Sequence, residues 1–277
     1  MSRLWRDRLL VSLAPGAVAI ARIARGFRPR IVSKQVIDCD PASGTEPWQS
    51  AADALAKALE SFRNEPVDVT IVLSNHFARY SVVPFDAAIT SPDEELALAR
   101  FHFTKIYGER ARNWDVRIGN GHRGAPRLAS AVDAALIQAV RACFPRKQKA
   151  RLVSVQPYLM SAFNLWRGAM AKDNAWLLLV EPQRVCLALV AGGKWSTVQG
   201  SNGEFPAPED WALLLDRQQL RTDAAPASRT VLVHAPDTRK TVSVEAGGWK
   251  FLGLVPPPME GFLPLEDRPL AIAVTAQ

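Results

Sequence analysis

Cysteine is scarce in this chain and scattered where it occurs: Cys39, Cys143 and Cys186 share no short spacing. That excludes a disulfide framework and a cysteine-based zinc site, which need ligands paired a few residues apart. The four histidines, His76, His102, His122 and His234, are equally dispersed, so no metal ligand set is expected. No apolar run approaches the ~18 residues needed to cross a bilayer. The longest candidate, 176–190, is broken by Glu181-Pro182-Gln183-Arg184. There is also no glycine-rich phosphate loop followed by lysine, and no serine, histidine and acid spacing suited to nucleophilic catalysis. No catalytic residue is expected.

What is present is an ordinary globular composition. With 48% hydrophobic and 22% charged residues, 277 residues can bury one large core or two modest ones, and a folded chain is expected. The net charge of +7 suits anionic surroundings, and equally an unspecialised basic surface. The basic residues are dispersed and not interleaved with aromatics, so no specific nucleic-acid recognition is expected. Arg3, Arg6 and Arg8 precede an apolar stretch, as in a targeting signal. Pro15-Gly16 interrupts that stretch and Arg22 and Arg25 follow it, so a strand, a turn and a second strand describe it better. A soluble cytoplasmic protein is expected.

Along the chain, 9–13, 17–23 and 31–37 read as a three-stranded meander, followed by a helix over 48–62 with one apolar face. Two strands, 67–73 and 80–83, flank the polar tip Ser74-Asn75-His76 and stop at Pro84. Ser91-Pro92-Asp93-Glu94 carries a capping box for a helix to Tyr107. Strands at 114–118 and 127–131, a helix over 133–144, a strand at 152–155 and a helix over 157–167 complete the first half. The second half restarts with strands at 176–180, 185–190 and 194–199 and a helix over 207–220. Strands at 230–234, 249–254 and 270–275 close it. Three strands, a helix and a further strand in each half indicate a two-lobed α/β chain with weak internal duplication.

The segments SPDEELALARFHFTKIYG, NWDVRI, RLASAVDAALIQAVRACF and RLVSVQPYLMSAFNLWR, with this order of elements, resemble the actin-like ATPase superfamily. Within it they resemble most the pilus assembly protein PilM and the cytoplasmic part of the secretion protein GspL. The resemblance covers most of 9–200. It implies an actin-like (ribonuclease H-like) two-lobed fold with mixed sheets. Residues 1–170 would form the first lobe, with a small subdomain inserted at about 86–149, and 171–277 a shortened second lobe.

Such ATPases open each lobe with Asp-x-Gly, the carboxylate organising a metal and the glycine admitting phosphate. Here the triplets fall on Ser12-Leu13-Ala14 and Glu181-Pro182-Gln183, so the nucleotide loops at Ser12, Ala14, Glu181 and Gln183 read as degenerate. Gly192-Gly193 and Gly247-Gly248 fit adenosine-loop glycines or tight turns. The resemblance thus implies no cofactor and no enzyme activity. The implied role is a scaffold of a type IV pilus or type II secretion platform, at the cytoplasmic face of the bacterial inner membrane. It would hold the cytoplasmic tail of a PilN-like membrane partner in a groove between main lobe and inserted subdomain, and meet a pilus or secretion motor ATPase. Membrane association would then be peripheral, through the partner. Arg79, Tyr80, Phe85, Arg100 and Phe101 are the candidate partner-binding residues. The alternative is an ATP-binding actin-like switch or weak ATPase with an atypical nucleotide site.

Overall fold

A computed structural model describes residues 6–24, 26, 28–121, 124–170, 174–221, 229–237 and 243–277. The first half runs Asp7–Ala14 (β1), Ala17–Ile23 (β2), Ile31–Asp38 (β3), Gln49–Leu59 (α1), Val67–Leu73 (β4), Ala78–Val83 (β5) and Pro92–Tyr107 (α2). It continues with Trp114–Ile118 (β6), Arg127–Asp133 (β7), Ala134–Ala142 (α3), Arg151–Pro157 (β8) and Tyr158–Met170 (α4). The second half runs Ala175–Glu181 (β9), Arg184–Ala191 (β10), Lys194–Asn202 (β11), Pro208–Gln219 (α5), Thr230–His234 (β12), Val244–Ala246 (β13) and Trp249–Gly253 (β14).

Two compact units result. One comprises 1–78, 133–165 and 256–277, the other 79–132 and 166–255. This division differs from the expected boundary at 170. The C-terminal stretch belongs to the first unit, and most of the expected insert belongs with the second half. The reason lies in the cores: Met259, Phe262, Leu270 and Val274 pack with Leu10, Ala19, Ala21 and Ile23.

The first unit holds a five-stranded sheet in the order β3-β2-β1-β4-β8. β1, β2 and β3 form the expected antiparallel meander, while β4 lies parallel to both β1 and β8. Leu9, Leu10, Val11 and Leu13 are all fully buried, so both faces of β1 are covered. Residues 270–275, expected as a strand, instead form parts of two 3-10 helices, Arg268–Leu270 and Ala273–Ala276. A short apolar run cannot distinguish these outcomes, and here it covers a sheet face instead of extending an edge.

The second unit carries a six-stranded sheet, β11-β10-β9-β12-β14-β13. Its first five places repeat the first sheet: an antiparallel meander, then two parallel strands joined through β12. This is the internal duplication expected from the sequence. Its core is built on Trp176, Trp249, Phe251 and Trp211. A separate three-stranded sheet, β5-β7-β6, packs against α2 through Val83, Ala99, Phe103, Val116 and Ala131. α2 begins as expected: Ser91 Oγ accepts from Glu94 N and Glu94 Oε2 from Ser91 N, both at 3.2 Å.

β4 and β5 are consecutive but belong to different sheets, because β1 and β8 already occupy both edges of β4. The segment between them is no exposed tip either, since Ser74 and Asn75 are buried.

Candidate functional site

The two lobe-opening hairpins set the geometry. β9 and β10 close on the pair Glu181↔Arg184, leaving the two-residue turn Pro182-Gln183. Gln183 has φ of 57°, the only non-glycine in the left-handed region among the described residues. Proline followed by a left-handed residue is the type II turn pattern. In the first unit the hairpin closes on Ala14↔Ala17 around Pro15-Gly16. Hairpin geometry therefore matches Ala14-Pro15-Gly16 to Glu181-Pro182-Gln183. Ser12 instead pairs with Ala19 inside the ladder, buried and two residues short of the last strand position. Each turn has proline at its centre, where a backbone N–H is lost.

The C-terminal ends of the parallel strands β9, β12 and β14 open onto a cavity of about 950 Å³. Ligands of open α/β sheets commonly occupy this position. Val180, Val233, Phe251 and Trp211 form its apolar wall. The Trp211 indole is fixed by donating from Nε1 to the Phe205 carbonyl at 2.9 Å. Glu181, Glu204, Glu209 and Asp237 also line the cavity, and no lysine or arginine does so among the described residues. Of these acids only Glu181 was named from the sequence. The others lie near helix α5 and past β12, and only the sheet order brings them together.

The paired glycines are resolved as turns. Gly192-Gly193 closes β10–β11 with φ of 56° and 73°, and Gly247-Gly248 closes β13–β14 with 56° and 75°. Two consecutive positive φ values define the type I′ hairpin turn, which favours glycine. Neither pair lines the large cavity.

The five candidate partner-binding residues separate by exposure. Tyr80 on β5 is buried and belongs to the core. Arg79, also on β5, is partly buried; desolvation and the Arg184 charge lower its guanidinium below the ordinary arginine range. Phe85, just beyond β5, is 53% exposed and Phe101 on α2 is 61% exposed. Ala99 and Phe103 face the sheet, so the helical period turns Phe101 outward, next to exposed Arg100. Phe101 contacts the His102 ring edge-on at 6.3 Å. Among the described residues no three histidine, cysteine or acidic side chains form a metal-binding group. No helix among them is long and apolar enough to cross a membrane.

No family model and no curated protein matches the sequence. Solved structures share its fold. The cytoplasmic domain of EpsL, an inner membrane component of the type II secretion system of Vibrio cholerae, is similar at TM-score 0.56 and 10% identity over 95% of this chain and 94% of that one. A Bacteroides thetaiotaomicron protein with an actin-like ATPase fold and unknown function gives 0.54 and 10% over 84% of each chain. A PilM–PilN type IV pilus biogenesis complex gives 0.50 and 15% over 77% of this chain and 66% of that one. The paired five-strand arrangements and these likenesses together give the conclusion that the chain has the actin-like ATPase fold.

Proposed function

We propose that this chain is a non-enzymatic scaffold in the inner-membrane assembly platform of a type IV pilus or a type II secretion system. On this reading it works at the cytoplasmic face of the membrane, holds the cytoplasmic tail of a PilN-like partner, and meets a motor ATPase there. The fold likeness to the EpsL cytoplasmic domain and to the PilM–PilN complex supports the setting. The observation that carries the binding role is the outer face of α2, where Arg100 stands beside the 61% exposed Phe101. An aromatic anchor with an adjacent cation suits a short apolar segment bearing an acidic residue. The net charge of +7 would favour a site near anionic lipid.

The non-enzymatic part is supported by charge. A nucleotide at the strand ends would meet Glu181, Glu204, Glu209 and Asp237, with no lysine or arginine on the lining among the described residues. Phosphate sites instead present N–H donors and positive charge. The degenerate loops at Ala14 and Gln183, with Pro15 and Pro182 at the turn centres, fit the same reading.

The test uses peptides copied from the cytoplasmic tails of single-span membrane proteins encoded beside this chain. Calorimetry should detect one binding at tens of micromolar, weakened about tenfold or more by Phe101→Asp. No binding by any such tail would reject the scaffold role. Mg-ATP serves as the counter-test: a thermal shift at millimolar concentration would favour the nucleotide switch instead.

A further inference from the structure

A second, smaller cavity of about 400 Å³ lies within the second unit and has the opposite electrostatic character. Three arginines line it: Arg79 from the start of β5, Arg110 from the 3-10 helix Gly108–Asn113, and Arg184 from the start of β10. No acidic residue is among its described lining residues. The remaining wall is Tyr107 and Trp114, whose rings contact edge-on at 5.1 Å, with Gly200 and Asn202 on β11.

Arg184 is the most informative member, being only 6% exposed. A buried guanidinium ordinarily finds a carboxylate, because removing its charge from water is costly otherwise. Among the described residues its one hydrogen bond is from Nη1 to the neutral Asn202 Oδ1, while its buried Nε has no hydrogen-bond partner. Gly200 makes this placement possible: a Cβ there would stand 2.5 Å from Arg184 Nη2. Arg110 is exposed at the mouth and forms no ion pair among the described residues. The chain thus concentrates positive charge around a concave space, and the Arg184 charge is felt at Arg79.

We propose that this cavity binds the phosphoryl or pyrophosphoryl group of a small phosphorylated compound, held by Arg79, Arg110 and Arg184 beside the Tyr107–Trp114 wall. The guanidinium fork matches phosphate oxygens two at a time, and a multiply charged anion offsets three neighbouring cations better than one carboxylate would. The cavity's size is in the range of small-molecule sites. The inference goes beyond the scaffold reading and does not rest on it: this site would make the fold responsive to a metabolite whether or not a membrane partner binds at α2.

The experiment is calorimetry on the full chain in magnesium-free buffer, with inorganic phosphate, pyrophosphate and ADP as separate probes and sodium chloride matching ionic strength. Pyrophosphate should bind at sub-millimolar concentration, and Arg110→Gln, at an exposed position where folding is preserved, should weaken it about tenfold. Lys57→Gln, on α1 in the other unit, should leave it unchanged. ADP binding tighter than pyrophosphate would identify a nucleotide source, and equal binding an inorganic one; either outcome upholds the site. Pyrophosphate heats no different from chloride, an unaltered affinity in Arg110→Gln, or binding only of acidic peptides would overturn it. Tail-peptide binding with no pyrophosphate binding would overturn this inference alone and leave the scaffold role standing.

Discussion

The imidazole of His234 lies against the indole of Trp166, ring centroids 4.8 Å apart. Burial lowers the His234 pKa to about 3, so the folded protein carries this ring neutral. The unfolded chain protonates it near the ordinary value of about 6.5. As pH falls below that, the unfolded state binds the proton first. Its stabilising neutrality is therefore complete above about 6.5 and is lost progressively toward about 3, at up to about 1.4 kcal/mol per pH unit. His234→Leu should flatten the fall in urea midpoint between neutral pH and pH ~4.5 by about 2.7 kcal/mol equivalent. Parallel pH profiles for the two proteins would contradict this.

Asp68 on β4 accepts from Arg6 at 2.7 Å and from Arg151 at 2.9 Å, linking the start of β1 to the start of β8. The carboxylate is mostly buried while Arg151 is largely exposed, so the Arg6 contact dominates. Asp68→Ala leaves Arg6 without its carboxylate and should lower stability by about 2 kcal/mol, with Asp68→Asn costing about half. Denaturant titration measures both, and a neutral Asp68→Ala would show that solvent replaces the pair.

Gln183 occupies a left-handed position that a side chain disfavours, at φ of 57°. Gln183→Gly relieves that strain but gains unfolded-state entropy, for a net stabilisation of about 0.5 kcal/mol. A clear loss of stability would mean that the glutamine side chain supports the hairpin.

Phe101 and Phe103 stand two residues apart on α2 with opposite fates, one 61% exposed and the other fully buried. Phe103→Ala should cost about 3–5 kcal/mol by opening a cavity between α2 and its sheet. Phe101→Ala should change stability by less than about 0.5 kcal/mol while weakening tail binding. Thermal melts beside peptide titration separate the two effects. A strongly destabilised Phe101→Ala would count against an interaction surface.

Much of the architecture was legible because its signals are local. Pro15-Gly16 between two apolar runs gives the β1–β2 hairpin, and the Ser91 and Glu94 capping box starts α2 where expected. Strands β9, β10 and β11 follow from β-rich runs separated by turn residues. The misreadings occur where pairing is long-range. Residues 270–275 have strand-like composition but no strand partner, β4 and β5 part company, and Tyr80 turns inward. Of the candidate partner-binding residues, the exposure of Phe85, Arg100 and Phe101 follows from periodicity and turn position. The place of Arg79 beside a cavity does not.

The meanders, the helix starts and the absence of Asp-x-Gly at the lobe openings are fixed locally, since they depend on neighbours a few residues apart. Which charges share a space depends instead on how distant segments fold together. Arg79, Arg110 and Arg184 come from three distant segments, and Glu181, Glu204 and Asp237 from three others, yet each set lines one cavity. No local propensity encodes such groupings, because they arise from sheet order and hairpin register. The resulting electrostatics, acidic at the strand ends and basic beside β5, belong to the fold.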